Sequence, residues 1–522
     1  MVPIETPSTD PLATTAGWGR WRIPFGGLVG SALIVGVVLR FVTKSPLWLD
    51  EALSVNIAKL PVGEIVEALR HDGHPPLFYV LLHGWMGVFG QSDWAVRAFS
   101  GLWSLALLPL VWVAARRIGG TRVAVYALAL LALSPFAIRY GTETRMYAMV
   151  AVLSVAGWLL VDDALRGRAT LVRLVAIACV VGALLWTHYW AIWFLLTAGI
   201  ALLVHLWRVQ RSGPPQLARS TYRVIAAVAV GGLTFLPWAP VMLYQGSHTG
   251  TPWARPMRPT EMVATMLLDF GGGKYAEATV LGWLFAAIAA VGLLGRAIDR
   301  RRIELDLRTR PEGRAFAILV GGTLAVACVT GYALNATFAS RYASIIHPFV
   351  IILGALGLDQ IRSRPIALAA LTMLLVLGGI GGARNVVTDR SDARRSADVI
   401  TANAERGDWV VYCPDQLGPA TSRLLDVDVH QVTYPEFLRP QRVDWVDYKE
   451  RLAETKPANF AAELLDRVGA HRIFLVYSTA YETHASICPA LFNAIGRSRP
   501  PQPLTESTDA FEPAAVVLFA KP

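Results

Sequence analysis

Charge is scarce in this chain of 522 residues: Asp, Glu, Lys and Arg make up 16% of it against 54% hydrophobic residues, and the mean hydropathy is +0.44. Soluble globular domains carry about a quarter charged residues, so a wholly aqueous protein is excluded. The apolar residues come in runs of about 20, the length that crosses a hydrocarbon layer of about 30 Å. These runs lack the polar stripe by which a helix on a soluble core faces water. Cysteine is scarce too, at four residues, and neither it nor histidine shows a zinc-ligand spacing. No Gly-rich phosphate loop is present, so no nucleotide site of that kind is expected. Internal repeats and low-complexity segments are missing. The first residues, polar with Pro and Thr, lack a basic region followed by a short apolar core and a cleavage site, so no secretory signal is expected and the segment reads as a disordered tail.

The net charge is +10, yet the arginines stand in short clusters between apolar runs, as in Arg116-Arg117 and Arg300-Arg301-Arg302. That pattern carries membrane topology rather than a nucleic-acid surface. The first run, residues 23–42, follows Arg20 and Arg22, which sets the N-terminus inside and the residues after it outside. Residues 75–90 are apolar but cover only about half to three-quarters of a crossing. Taken as a helix on the outer face, they put Arg116, Arg117 and Arg122 inside, with 96–115 descending and 124–138 ascending. Further runs at 144–161, 171–186, 191–207, 224–243, 279–294, 315–334, 342–358 and 366–381 follow. In this register Arg166, Arg173, Arg208, Arg219, Arg302 and Arg362 share the inner side.

The expected fold class is a polytopic α-helical membrane protein of about eleven transmembrane helices with a C-terminal soluble α/β domain. Its parts are a cytoplasmic tail over 1–22, a transmembrane domain over 23–382 with outer-face loop helices at 48–90, and an extracytoplasmic domain over 383–522. In that last part, strand-like runs at 409–412, 473–477 and 516–519 alternate with amphipathic stretches at 391–406, 445–454 and 460–468. Cys413 and Cys488 fall there, either as an exported disulfide or as two unpaired buried residues, since sequence gives no distance between them.

Two adjacent carboxylates, Asp50 and Glu51 in Trp48-Leu49-Asp50-Glu51-Ala52, directly follow the first span. A carboxylate beside hydrocarbon is costly without a partner or a task, and a general base needs an anionic oxygen held near the reacting hydroxyl. The plain alternative is that Asp50 caps the helix that follows. In Asp72-Gly73-His74-Pro75-Pro76 the prolines fix the first helical turn and hold His74 at its rim. On the same side fall Arg139-Tyr140-Gly141-Thr142-Glu143-Thr144-Arg145-Met146-Tyr147, Thr187-His188-Tyr189-Trp190 and Ser340-Arg341-Tyr342. Each outer arginine alone reads as a snorkelling or headgroup-binding side chain, and an aromatic belt accounts for the tyrosines and Trp190. Several such clusters on one face point instead to an outward-opening polar site.

Leu49-Asp50-Glu51-Ala52, His74-Pro75-Pro76-Leu77-Phe78-Tyr79, Phe89-Gly90, Ser92-Asp93-Trp94-Ala95-Val96-Arg97, the segment from Arg139 to Tyr147 and Thr187-His188-Tyr189 together resemble the GT-C glycosyltransferases, in the branch of the protein mannosyltransferases and the lipid A aminoarabinose transferase. The resemblance covers residues 23–382 and is strongest in the first half. It implies a GT-C-like membrane domain and a polyprenyl-phosphate-sugar-dependent glycosyltransferase, hexosyl or pentosyl. Such an enzyme moves a sugar from its lipid carrier to a cell-envelope glycan, glycolipid or protein outside the inner (plasma) membrane, with no nucleic acid involved. Carried over, Asp50 matches the first-loop acidic residue that acts as base or orients the acceptor, and Glu51 is its neighbour, holding a metal or the acceptor. Glu143 falls near the second acidic position, though relatives often place an Asp there at a different spacing. His74 matches a polar or cationic group near the phosphate. Arg341 and Tyr342 match an Arg-Tyr pair that clasps the carrier phosphate, with Arg145 and His188 joining them as substrate-binding groups. Arginine suits phosphate because its planar fork binds two oxygens at once. Some GT-C members use a divalent cation and the single-sugar-carrier branch generally does not; the Asp50-Glu51 pair alone assigns none.

A transporter or lipid flippase also combines many spans with polar groups. It should show Gly/Pro-broken helices near the midplane, repeat symmetry and ionisable residues deep in its spans, whereas the acidic residues here cluster at outer ends. A noncatalytic scaffold leaves the Asp50-Glu51 pair without a task.

Overall fold

The computed structural model describes residues 19–249, 257–334 and 338–522; residues 1–18 of the expected tail lie outside them. Helices dominate the first part: α1 (Gly19–Leu39), α2 (Leu49–Ala58), α3 (Val62–Arg70), α4 (Leu77–Phe89), α5 (Asp93–Ala132), α6 (Pro135–Gly141), α7 (Tyr147–Asp163) and α8 (Leu171–Thr187). Then come α9 (Ala191–Ser212), α10 (Pro215–Leu233), α11 (Ala239–His248), α12 (Pro259–Gly271), α13 (Ala276–Leu294), α14 (Pro311–Leu334), α15 (His347–Asp359) and α16 (Arg364–Val387). A hairpin of β1 (Gly295–Ala297) and β2 (Ile303–Leu305) separates α13 from α14. Among the described residues, seven helices are long and apolar enough to cross a membrane: α5, α7 with its extension, α9, the α10–α11 stretch, α13, α14 and α16. Apolar side chains such as Leu203, Val280 and Val329 are exposed on them, an arrangement that lipid solvates and water does not. The chain is a multi-pass membrane protein.

The two ends of the bundle carry different chemistry. At one end α5 turns back at Gly120, whose φ of 80° suits glycine alone. Beside that bend Arg117 pairs with Asp162 (3.2 Å) and Asp163 (3.0 Å), and Arg122 with Asp359 (3.1 Å). The other end gathers Glu51, Glu143, His188 and Arg341. Helix α4 begins and finishes at this second end: His74 before it meets Arg145 at 2.9 Å, and Gln91 after it accepts from Arg423 at 3.4 Å. Its 13 residues rise about 20 Å, less than a crossing needs.

Several expected spans have other bounds. The run 124–138 is interrupted at Ser134, whose hydroxyl accepts the Ala137 N–H (3.3 Å) and starts α6 with Pro135 in its first turn. The run 224–243 breaks around Pro237 and Pro240 into α10 and α11. The run 342–358 starts late, because Ser340–Ile345 form a 3-10 turn and Pro348 sits in the opening turn of α15. Helix α12 matches no apolar run: its 13 residues include Glu261 and Asp269.

The C-terminal part is a mixed sheet in the order β4-β3-β5-β7-β6, built from β3 (Trp409–Cys413), β4 (His430–Thr433), β5 (Ile473–Tyr477), β6 (Pro501–Thr505) and β7 (Ala515–Phe519). It is covered by α17 (Ala393–Asn403), α18 (Gly418–Ser422), α19 (Tyr448–Glu454), α20 (Pro457–Val468) and α21 (Ile487–Gly496). β3 runs parallel to β4 and β5, and β7 antiparallel to β5 and β6. The three central strands are those legible as apolar runs, because both faces are buried: Val411, Leu475 and Val517 enter one core, Val410, Phe474 and Val516 the other. The edge strand β6 carries Pro501 and Pro503, which only an edge tolerates, so no strand pattern marks it. Cys413, ending β3, and Cys488, in the first turn of α21, form a disulfide with Cα atoms 5.6 Å apart.

Helix α2 joins the two parts. Ala52, Val55 and Ile57 pack into the core of the helical bundle, while Trp48, Leu49 and Leu53 belong to the core under the sheet. Side chains and backbone add polar ties: Asn56 Nδ2 donates to Gln441 O (2.7 Å), and Trp445 N–H to His71 O (3.1 Å).

Candidate active site

Trp48 is the N-cap of α2 and no side chain caps the helix, so Asp50 is not a cap. Its carboxylate stands in the first turn, where the helix dipole favours negative charge. Oδ2 lies 3.7 Å from Arg341 Nη2 and makes no hydrogen bond. Arg341 comes from the 3-10 turn before α15, and Arg145 from the loop joining α6 to α7.

Arg145 donates to Ser54 Oγ (3.1 Å), Tyr79 Oη (3.3 Å) and His74 Nε2 (2.9 Å). Since a guanidinium only donates, the last contact makes Nε2 the acceptor and leaves the ring proton on Nδ1, which donates to Asp72 Oδ2 at 3.0 Å. The Tyr79 hydroxyl donates to the same oxygen at 3.0 Å. Burial alone would raise the Asp72 carboxyl. The His74 hydrogen bond, the Arg145 charge and the Tyr79 hydroxyl outweigh it and hold the group below the usual carboxylate range. Asp50, Asp72, His74, Arg145, Arg341 and Tyr342 line a cavity of about 660 Å³. Trp445, Tyr481, Glu482 and Glu512 of the C-terminal part close its other side. Cavities of this volume hold small ligands or single residues of larger ones.

A second layer stands behind this wall. Glu51 accepts from Arg97 Nε and Nη2 at 2.7 and 2.6 Å and from the Thr144 N–H at 3.0 Å. Burial raises its carboxyl, but Arg97 and Arg390 outweigh that and keep it low. Glu143 pairs with Arg139 (3.1 Å) and lies 3.9 Å from Arg390; here burial outweighs the cations and pushes the carboxyl up. His188 accepts the Trp190 N–H on Nδ1 (3.1 Å), with its ring 5.2 Å from that of Tyr342. Burial, with the charges of Arg145 and Arg341 added, holds its imidazole well below the usual range, so it is neutral.

Residues 73–238 match the family described as dolichyl-phosphate-mannose-protein mannosyltransferase. No curated protein matches the chain in sequence. Among solved structures it is similar to ArnT from Cupriavidus metallidurans in the apo state, with a TM-score of 0.57 at 14% identity over 96% of this chain and 98% of that one. The same protein bound to undecaprenyl phosphate matches with a TM-score of 0.57 at 13% identity over the same shares, 96% and 98%. The chain has the GT-C fold.

On this GT-C fold, five residues singled out in the sequence, Asp50, His74, Arg145, Arg341 and Tyr342, line one cavity, and three, Glu51, Glu143 and His188, lie behind it. No role followed from the sequence for Asp72, Tyr79 or Arg97, although Tyr79 and Arg97 stand inside segments that carried the resemblance. Arg390 bore no signal at all. It follows the last span, yet its guanidinium is buried and donates to Thr142 O (2.9 Å) and Oγ1 (2.6 Å).

The donor set does not fit a divalent cation at the acidic pair. Glu51 is taken up by Arg97, and the charge facing Asp50 is Arg341. Among the described residues no group of three or more His, Cys, Asp or Glu stands together to hold an ion.

Proposed function

We propose that this chain is a membrane glycosyltransferase that moves a sugar from a polyprenyl-phosphate carrier to a hydroxyl acceptor on the extracytoplasmic side of the inner (plasma) membrane. The observation that carries the reading is an Asp50 oxygen free of hydrogen bonds, beside Arg341 and close to Arg145 in one cavity. It is supported by a fold shared with a protein crystallised with undecaprenyl phosphate.

In the proposed reaction the acceptor oxygen attacks the anomeric carbon. The carbon–oxygen bond to the carrier phosphate breaks with its electron pair going to phosphate, and the acceptor proton passes to Asp50. Arg341 and Arg145 stabilise the charge that grows on the leaving phosphate, and Arg145 is aimed by His74 and Tyr79. Glu51 acts through Arg97 to fix the start of α2, and so positions Asp50 rather than touching substrate. Glu143 does the same for Arg139 and Arg390. His188, being neutral, orients Tyr342 without competing for the phosphate. No step uses a metal.

The reading is tested with membranes carrying wild type or Asp50→Asn and radiolabelled polyprenyl-phosphate sugars, hexosyl and pentosyl. Transfer is expected to fall by about two to four orders of magnitude, the contribution of a positioned base, at unchanged protein level. Full activity in Asp50→Asn sinks the proposed base.

A further inference from the structure

The cavity has two unlike walls. One carries the cations Arg145 and Arg341. The other, from α2 and the C-terminal part, carries Trp48, Tyr481, Glu482, Phe511 and Glu512, with no Lys or Arg among its lining residues. An anionic phosphate is drawn to the first wall and repelled by the second.

Two polar atoms on the second wall are buried without a hydrogen-bond partner. They are Glu512 Oε2, on a residue 2% exposed, and Trp48 Nε1, on a residue 5% exposed. A buried donor or acceptor left unpaired costs about 1–3 kcal/mol, so unpaired groups in a cavity wall mark where a ligand supplies the missing partner. The other carboxyl oxygen of Glu512 accepts from the Tyr481 hydroxyl at 3.3 Å, which fixes the group in place. Burial pushes this carboxyl up to about 8, hydrogen bonding from the Ser391 and Tyr481 hydroxyls and the Leu49 N–H offsetting part of the rise. At neutral pH it therefore both donates and accepts. Trp48 and Phe511 meet edge to face with centroids 5.1 Å apart, and Phe511 is 66% exposed. Aromatic faces beside the carboxyls of Glu482 and Glu512, the Tyr481 hydroxyl and one indole N–H match a ligand with an apolar C–H face and a rim of neutral hydroxyls. No residue lining the cavity belongs to a strand, so no sheet edge is offered for pairing with an extended peptide.

We propose that Glu512, Tyr481, Trp48 and Phe511 form the acceptor subsite and that it binds a neutral saccharide ring, so that the acceptor is a glycan or glycolipid rather than a protein. The inference rests on the reaction proposed above and names its acceptor class.

The test uses full-length protein in nanodiscs, with methyl glycosides of hexoses and pentoses as probes. Saturation-transfer NMR reads glycoside binding, and retention of undecaprenyl phosphate reads the arginine wall. The expected result is transfer to the glycoside ring protons, with affinity about tenfold weaker or worse in both Glu512→Leu and Tyr481→Phe, as loss of a buried hydrogen bond requires. Undecaprenyl phosphate binding stays at the wild-type level, which also reports a folded chain. Glycoside binding that survives in both variants overturns the inference, as does displacement of the glycosides by a Ser/Thr peptide. Undecaprenyl phosphate binding with no glycoside binding overturns the subsite and leaves the reaction standing. Glycoside binding lost in the variants, with no undecaprenyl phosphate bound by wild type, supports the subsite and overturns the reaction.

Discussion

At the scale of single residues, the adjacent carboxylates of α2 have opposite surroundings. A helix turns about 100° per residue, so Asp50 reaches the cavity while Glu51 points into the bundle and meets Arg97 through two short hydrogen bonds. Both are acidic and both follow a span; the family resemblance singles out Asp50, but residue type and position alone do not separate the two. Removing one member of a buried ion pair strands the other charge at a cost of about 3–5 kcal/mol, whereas replacing both together costs far less. Arg97→Ala is therefore expected to lower thermal stability in detergent strongly, and Arg97→Met with Glu51→Gln to recover most of the loss. Equal destabilisation in the single and double variants contradicts the pairing.

At the scale of elements, the segment that leads from α16 into α17 and the loop before β7 hold each other. Asp392 accepts from Thr508 N–H (3.0 Å) and Ala514 N–H (2.9 Å), and the backbone of Glu512 exchanges hydrogen bonds with Arg390 and Asp392. This latch carries Glu512 to the cavity beside Asp50. The Glu512 carboxyl rises from 4.5 to about 8 on burial, so the folded state binds its proton more tightly than the unfolded one. The stabilisation is complete below about 4.5 and is lost as pH rises through about 8. Amide protection factors over residues 508–514, the exchange rates corrected for their intrinsic base-catalysed rise with pH, are expected to fall across that window in wild type and to change little in Glu512→Gln. A protection factor in wild type that stays constant over this pH range would count against a buried, protonated Glu512. None of this latch is written in the sequence, because it pairs residues more than a hundred positions apart.

At the scale of the whole molecule, the arginine-rich turns and the carboxylate-rich loops lie at opposite ends of the bundle, as the reading of positive residues as inside-facing requires. Reporter fusions at Gly90, Gly119 and Gly407 are expected to read outside, inside and outside. A cytoplasmic signal at Gly407 reverses the side proposed for the C-terminal part and with it the side of the reaction. By itself the sequence determined the helical membrane architecture, the three central strands and the segments that meet at the cavity. Run length, burial on both strand faces and local motifs are properties of neighbouring residues. Only the tertiary structure decided which acid faces the cavity, that Cys413 bonds Cys488, and that Glu512 and Arg390 from beyond the last span enter the same site. Those outcomes depend on distances between segments remote in the chain, which packing sets and local sequence does not encode.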